Sequence, residues 1–233
     1  MLTMINYEGG HLGRNKGCGL AGEKLSKNYQ IKFSFPKINL FDCDKALKQI
    51  EGLKGNIFLG GDHSITYALV KGFKRKFKKF GLVVFDAHPD CCKPFKTVTH
   101  EDWLRKLIEE KTIKKKDVLL VGIREIDKTE VDFLKGIKIV RCNEINNAKL
   151  MDFFEKYKYI YLSLDIDVVD PKDAPGTGCR VKNGIKGNTL LQVIKEIKKF
   201  KNIKRIDIVE FNPLLDKNKK TITLAKKILQ ELI

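Results

Sequence analysis

Short runs of apolar and β-branched residues alternate along the chain with segments in which apolar residues recur every three or four positions. Eight runs predict strands: 1–7, 30–35, 56–61, 81–88, 117–123, 137–142, 159–167 and 205–211. Several are almost continuously apolar, which is typical of strands buried on both faces of a parallel sheet. Five segments predict amphipathic helices: 63–77, 101–110, 149–157, 189–200 and 223–232. This alternation predicts an α/β fold, a three-layer α/β/α sandwich with an eight-stranded, mostly parallel sheet.

Length and composition narrow the class of protein. The 233 residues contain no repeat, linker or low-complexity tail, so we expect a single domain over 1–233. The net charge of +17 comes mostly from lysines dispersed over the predicted helices, which indicates a solvated surface and no nucleic-acid partner. No apolar run is long enough to span a membrane, and the first ten residues lack the pattern of a secretory signal. Six cysteines without a CxxC pair indicate reduced thiols, so we expect a cytoplasmic location.

Ionisable residues follow the predicted strands at the point where each strand ends. Ligands bind beyond the carboxyl ends of the strands in open parallel sheets. The residues at these ends, on four different strands, are His63, Asp86, His88, Asp90, Asp165, Asp167 and Glu210. Because they converge on one edge of the sheet, we expect them to form one site.

The spacing of these residues predicts a binuclear metal site. Alternate residues of a strand point to the same face, which aims Asp86, His88 and Asp90 one way and pairs Asp165 with Asp167. Four buried carboxylates without cations would repel one another and take up protons. Two divalent ions offset their charge, and mixed carboxylate and imidazole ligation suits Mn²⁺, with Co, Ni or Zn as alternatives. We expect neither Cys91 nor Cys92 to be a ligand, although both directly follow Asp90.

Four motifs resemble those of the ureohydrolase family, which includes arginase, agmatinase, formimidoylglutamase and guanidinobutyrase. They are "GGDHSI" (60–65), "DAHPD" (86–90), "SLDIDVVDPKDAPGTG" (163–178) and "DIVEFNP" (207–213). Weaker similarity covers 9–25 and 121–127, so the resemblance runs nearly end to end. It implies an arginase-like fold, and a metal-dependent hydrolase that converts a small cationic guanidino substrate into urea and an amine.

The resemblance also implies a role for each residue. One Mn²⁺ would be held by His63, Asp86, Asp90 and Asp165, and the other by Asp86, His88, Asp165 and Asp167. Asp86 and Asp165 would therefore bridge the two ions. Glu210 would bind the substrate guanidinium, and His100 would act as the proton shuttle. His11 lies in a glycine-rich loop and is interpreted as a packing or surface residue, with a role at the edge of the site as the alternative.

The motifs indicate the type of reaction more clearly than they indicate the substrate. The runs "APGTG" (174–178) and "THEDWLRKL" (99–107) look closer to agmatinase, and agmatine is the preferred substrate. The run "REID" (124–127) resembles the arginase loop, in which Asp127 would face the α-amino group of arginine. In another interpretation, Asp127 caps a helix at 128–135. Lys93 or Lys96 would bind a substrate carboxylate, if they are not simply solvated.

Two other classes of function compete with a ureohydrolase. A non-catalytic relative would bind a guanidino ligand through the metals without turnover, but all six ligands and Glu210 are present. A metallohydrolase of related architecture would act on an acetylated amine, as histone-deacetylase-like enzymes do, but the runs "SLDIDVVDP" and "VEFNP" favour guanidino chemistry. The chain is short for the family, and a homo-oligomer is left open.

Overall fold

Eight strands form one sheet in the computed structural model, which describes residues 2–9, 15–27, 33–145 and 147–233, except for the side chains of 147–149. In chain order the strands are β1 (Leu2–Met4), β2 (Phe33–Ser34), β3 (Ile57–Leu59), β4 (Gly81–Phe85), β5 (Val118–Val121), β6 (Lys138–Val140), β7 (Ile160–Asp165) and β8 (Ile203–Val209). Each falls within or overlaps a predicted run, so the eight-stranded prediction is confirmed.

The strands are arranged in the order β2-β1-β3-β8-β7-β4-β5-β6. Every described pair of neighbouring strands is parallel. The prediction of a mostly parallel sheet is thus confirmed in a stricter form. All carboxyl ends lie at one edge, and the four strands β3, β8, β7 and β4 are consecutive neighbours there.

Helices cover both faces of the sheet. They are α1 (Ala21–Ser26), α2 (Cys43–Glu51), α3 (Ser64–Lys76), α4 (Trp103–Glu109), α5 (Asn147–Lys156), α6 (Gly187–Ile197) and α7 (Lys220–Leu232). All five predicted helices are present. The apolar periodicity did not predict α1 or α2. The helix α2 begins after Asp42, whose side chain accepts a hydrogen bond from the Lys45 N–H at 3.0 Å. The helix considered at 128–135 is wrong, because that segment forms consecutive turns.

Two apolar cores separate the three layers. In β4, Val83 and Phe85 face one core, and Leu82 and Val84 face the other, as period-two alternation requires. The first core packs against α1, α5, α6 and α7, and the second packs against α2, α3 and α4. Among the described residues, no helix is both long and apolar enough to cross a membrane. All six cysteines lie in the described part of the chain, and none forms a disulfide.

Candidate metal centre and substrate cavity

The sheet register brings the predicted site residues to one place, here called the floor: His63, Asp86, His88, Asp90, Asp165, Asp167 and Glu210. In the pairing of β4 with β7, Phe85 lies opposite Leu164, so that Asp86 and Asp165 leave the sheet side by side. In the pairing of β7 with β8, Asp165 lies opposite Val209, and Glu210 follows directly. Parallel pairing therefore builds the floor from strands far apart in sequence.

His63 reaches the floor through a tight turn after β3. Gly60 and Gly61 have φ angles of 95° and 85°, the left-handed region that favours glycine. A Cβ atom would lie 2.7 Å from the Ile5 carbonyl oxygen at Gly60 and 2.6 Å from that of Tyr7 at Gly61. Only glycine fits both positions, so the "GGDH" run is needed to place the imidazole.

His63 Nδ1 is surrounded by carboxylate oxygens. It lies 2.8 Å from Asp90 Oδ2, 3.0 Å from Asp86 Oδ2 and 3.3 Å from Asp165 Oδ2. None of these contacts has hydrogen-bond geometry within the described structure, and Asp86 Oδ2 likewise lacks a hydrogen-bond partner there. Ligand atoms that converge without bonding one another fit a cation between them.

A second cluster adjoins the first. His88 Nδ1 lies 2.9 Å from Asp167 Oδ2 and 3.5 Å from Asp86 Oδ1. The ligand atoms of His63, Asp86 and Asp90 form one group that could hold a metal ion, and those of Asp86, His88 and Asp167 form another. Each group spans less than 4.8 Å. Asp86 belongs to both, and neither group, within the described residues, contains a cysteine.

Backbone N–H groups fix three of the four carboxylates in the same way. Asp86 Oδ1 accepts the His88 N–H at 2.7 Å, and Asp165 Oδ1 accepts the Asp167 N–H at 2.7 Å. Asp167 Oδ1 accepts the Ala87 N–H at 3.0 Å. In each residue the other oxygen faces an imidazole. The donors lie within the ligand motifs themselves, so the motifs supply both the ligands and their supports.

A buried network fixes the tautomer of His63. Ser163 Oγ donates to Asp207 Oδ1 at 2.5 Å, and His63 Nε2 lies 2.9 Å from Ser163 Oγ. Because the serine proton is used towards Asp207, the histidine must donate through Nε2–H. Its Nδ1 lone pair is then free to bind a metal. Sequence analysis missed Ser163 and Asp207. Ser163 lies two residues before Asp165, and Asp207 lies three residues before Glu210, so their closeness to predicted site residues could have indicated a supporting role.

The electrostatics of the floor agree with a cation site. Asp86, Asp165 and Asp167 are each at most 3% exposed, and Asp90 is 8% exposed. Burial and the neighbouring Asp86 charge raise the pKa of Asp90 to about 7. Burial and the charges of Asp167 and Asp86 raise the pKa of Asp165 well above its usual range. Two divalent cations would offset this repulsion, and the oxygen and imidazole donors fit them.

Glu210 is held beside the metal clusters. Its Oε1 accepts the backbone N–H of His63 at 2.7 Å, and its Oε2 accepts Asn15 Nδ2 at 2.5 Å. The residue has a φ angle of 64°, an uncommon conformation for a side chain with a Cβ. Burial and the charge of Asp62 raise the pKa of Glu210 to about 8. Sequence analysis missed Asn15, which is 8% exposed and reaches Glu210 from a distant loop.

The floor opens into a cavity of about 450 Å³. Several lining residues come from loops beyond the strand ends and are here called the rim: His100, Glu101, Glu125, Asp127, Glu130 and Arg180. His100 Nε2 is buried without a hydrogen-bond partner in the described structure, 3.9 Å from Glu101 Oε1. Asp127 is exposed, and its Oδ1 accepts the N–H of Thr129 at 2.8 Å. It caps a turn there and not a helix.

The remaining candidate residues lie away from the cavity or outside the described structure. Lys93 and Lys96 are exposed and are not among the residues that line the cavity, so the solvated interpretation holds for both. His11 falls outside the described residues.

Comparisons with known proteins point to one family. A model of the arginase family matches residues 30–233. An arginase of Staphylococcus aureus (strain MRSA252) is 30% identical over 196 residues, which cover 74% of this chain and 65% of the relative. An agmatinase of Bacillus subtilis (strain 168) is 31% identical over 180 residues, which cover 75% and 61%. The alignments thus span slightly less than two thirds of the relatives' length.

The fold agrees with solved structures. A formiminoglutamase of Trypanosoma cruzi, solved with Mn²⁺, superposes with a TM-score of 0.88 at 16% identity. The superposition covers 99% of this chain and 91% of that one. At this identity the likeness establishes a shared fold.

Proposed function

Because the chain belongs to the arginase family, we propose that it is a hydrolase that uses two Mn²⁺ ions to cleave a guanidino compound into urea and a primary amine. The proposed substrate is agmatine, which would yield putrescine. The observation that carries the proposal is the pair of His/Asp clusters that share Asp86. They lie in the same cavity as the Glu210 carboxylate.

The floor would bind both ions. One would be held by His63, Asp86, Asp90 and Asp165, and the other by Asp86, His88, Asp165 and Asp167. Asp165 is assigned to both on the strength of the family motif and its 3.3 Å approach to His63 Nδ1. When bound, such ions supply the Lewis acidity that lets water act as a hydroxide near neutral pH. Manganese is favoured by the ligand types and by its presence in the similarly folded formiminoglutamase.

Glu210 would bind and orient the guanidinium. A planar cation with several N–H donors pairs best with a carboxylate whose position is fixed. The His63 N–H and the Asn15 side chain fix one oxygen each and leave further lone pairs of both oxygens for the substrate. Since His63 is also a proposed ligand, one residue joins the metal position to the substrate anchor.

The reaction forms a C–O bond at the guanidinium carbon and breaks the C–N bond to the alkyl chain. Water and the substrate cation together give neutral urea and an alkylammonium ion, so both water protons end on the leaving nitrogen. His100 would deliver one of them. Its Nε2 has no hydrogen-bond partner among the described residues, and its side chain lines the cavity, as a proton donor requires.

The charge of the rim favours a substrate with a second cation. Four of the six rim residues are acidic, namely Glu101, Glu125, Asp127 and Glu130, and one is basic, Arg180. An amino group at the far end of the substrate suits this charge better than a carboxylate does. This supports agmatine over guanidinobutyrate and formimidoylglutamate, which carry carboxylates.

Arginine is the second candidate because two rim residues could bind its ends. Asp127 would face the α-amino group, and Arg180 would face the α-carboxylate. The guanidinium of Arg180 already donates to the carbonyl oxygens of Pro175 at 2.7 Å and Leu215 at 3.2 Å, which limits its use. Agmatine needs no such contact.

A product assay tests the proposal. The Mn²⁺-loaded protein is offered agmatine, arginine, guanidinobutyrate and formimidoylglutamate separately, and urea is measured, or formamide for the last. We expect urea from agmatine at the highest kcat/KM. A higher kcat/KM for a carboxylate-bearing substrate would contradict the interpretation of the rim. No product from any of them, despite two bound ions, would favour the non-catalytic binder.

A further inference from the structure

Asp90 is supported differently from the other floor carboxylates. It lies five residues beyond the last residue of β4 and has a φ angle of 51°. Where a backbone N–H fixes one oxygen of Asp86, Asp165 and Asp167, the Asp90 carboxylate is fixed by a side chain. Trp103 Nε1 donates to Asp90 Oδ2 at 2.6 Å. In the described part of the chain this is the one hydrogen bond recorded for that carboxylate.

The same tryptophan also contacts His63. The two ring centroids lie 4.6 Å apart, at an interplanar angle of 41°. Asp90 Oδ2, which accepts the indole N–H, is the oxygen that lies 2.8 Å from His63 Nδ1. Trp103 therefore touches two of the three members of the first cluster. Among the described residues, neither a hydrogen bond nor a ring contact joins it to His88 or Asp167 of the second.

The position of Trp103 is itself well determined. It is fully buried and is the first residue of α4. The preceding Asp102 accepts the backbone N–H groups of Phe95 and Thr99, both at 2.7 Å, which ties the 91–100 loop to the start of the helix. A buried indole N–H needs a hydrogen-bond acceptor, and in many protein cores that hydrogen bond has no further role. Here the acceptor Asp90 and the contacted ring of His63 belong to the same cluster.

We propose that Trp103 is a positioning residue that holds Asp90 and His63 in place and thereby sets the affinity of the metal position that these two share. The inference rests on the proposed binuclear site. It predicts that the two ions bind with unequal affinity, because the position formed by Asp86, His88 and Asp167 lacks a contact with Trp103. Loss of a hydrogen bond that orients a metal ligand lowers metal affinity by about 10- to 100-fold.

Metal binding by Trp103→Phe tests the proposal. Equilibrium dialysis against Mn²⁺, followed by metal analysis, gives the number and affinity of bound ions. We expect Trp103→Phe to keep one ion at the original affinity and to bind the other about 10- to 100-fold more weakly. The matched control is Phe80→Leu, which removes a buried ring from the same core near the start of β4 and should leave both affinities unchanged.

The outcomes separate this proposal from the proposed function. Two ions bound by Trp103→Phe at the original affinities would overturn the role of Trp103 while leaving the binuclear site intact. An equal loss of both ions would also overturn it, because the effect would not be selective. If the unaltered protein binds fewer than two ions, the proposed function fails, and this inference fails with it.

Two further measurements do not depend on the folding of Trp103→Phe. Replacement of the indole by benzothiophene keeps the ring size but removes the N–H, and should weaken the same ion. Trp103 is also the one tryptophan of the chain, so its fluorescence reports on this position. Paramagnetic Mn²⁺ should quench it both in the unaltered protein and in His88→Ala. Quenching that requires His88 would overturn the assignment.

Discussion

The floor and the rim of the cavity differ in what holds their side chains in place. The floor residues leave neighbouring parallel strands in register and are fixed by buried hydrogen bonds. The rim residues come from loops, and Glu125, Asp127 and Arg180 are exposed. The floor carries the proposed metal ligands and Glu210, whereas the rim carries the proposed proton donor His100 and the charged groups that would select the substrate. The sheet therefore positions the proposed metal centre, whereas the groups proposed to select the substrate lie on loops.

The largest effect should come from breaking the floor at Asp165. We expect Asp165→Ala to bind fewer than two ions and to lose about 10³-fold or more in kcat/KM, because a metal supplies several kcal/mol of transition-state stabilisation. Metal analysis and the urea assay measure the two effects. Two ions retained per chain would show that the assignment of Asp165 as a bridging ligand is wrong.

His100 tests whether one rim residue takes part in the chemistry. His100→Ala should lower kcat by about 10²-fold, at the lower end of the range for general acid catalysis. Both metals should remain, because His100 contacts neither cluster among the described residues. The measurement is the rate of urea release at saturating substrate. An unchanged kcat would exclude His100 as the proton donor and leave the rim with a role in binding alone.

A variant of Glu210 should distinguish substrate binding from metal binding on the floor. Glu210→Gln keeps the side-chain size but removes the charge, and it should lower kcat/KM by about 10- to 100-fold, the value of a charge-assisted hydrogen bond. Metal content should not change. Loss of metal in this variant would mean that Glu210 acts through His63, whose N–H it accepts, and not on the substrate.

Because the floor carboxylates are buried, the stabilisation of the fold by bound metal should depend on pH. Asp90 has a pKa of about 7 in the folded protein, raised by burial and Asp86, against about 3.9 in an unfolded chain. Without metal, the folded state holds a proton that the unfolded chain releases, so this contribution to stability is lost as pH rises from about 4 through 7. A cation can replace that proton.

We therefore expect Mn²⁺ to raise Tm by several degrees more at pH 8 than at pH 5.5. Thermal unfolding of metal-free and metal-loaded samples at both values measures this. The matched control is Asp127→Asn, which removes a carboxylate from the rim and should leave the pH dependence unchanged. An equal rise at both pH values would mean that Asp90 does not take up a proton when the metal is removed.

The smallest effect should come from the exposed rim. Asp127→Asn should raise KM for agmatine by about two- to fivefold, because exposed charge interactions are weak. KM for guanidinobutyrate should fall by a similar factor, and kcat should stay the same for both. The pair of substrates provides its own control, since a general loss of structure would raise both KM values. Unchanged values would remove Asp127 from substrate selection.

The same contrast explains how much the sequence could predict. The floor residues follow apolar runs that read as buried strands, and parallel pairing then places Asp86, Asp165 and Glu210 together. The order of the strands in the sheet could not be read from the pattern, because pairing depends on contacts distant in sequence. The proposed reaction class rests on motifs that can be recognised without knowledge of the strand order.

Loops and supporting residues were predicted less well for a physical reason. The segment 128–135 has the composition of a helix, yet Glu130 turns inward and accepts the N–H groups of Cys91 and Asp127 at 2.7 and 2.9 Å. These tertiary contacts outweigh local propensity. The sequence pattern places Trp103 in an amphipathic helix and indicates no further role. Its hydrogen bond to Asp90 is visible only in the folded structure.

The number of metal ions bound per chain tests the central claim most directly. Metal-free protein is equilibrated with Mn²⁺ at pH 8, and protein and metal are quantified in the same sample. The two clusters that share Asp86 predict two ions per chain at saturation. A single ion at saturation, or none, would contradict the binuclear floor and with it the proposed hydrolysis of guanidino compounds.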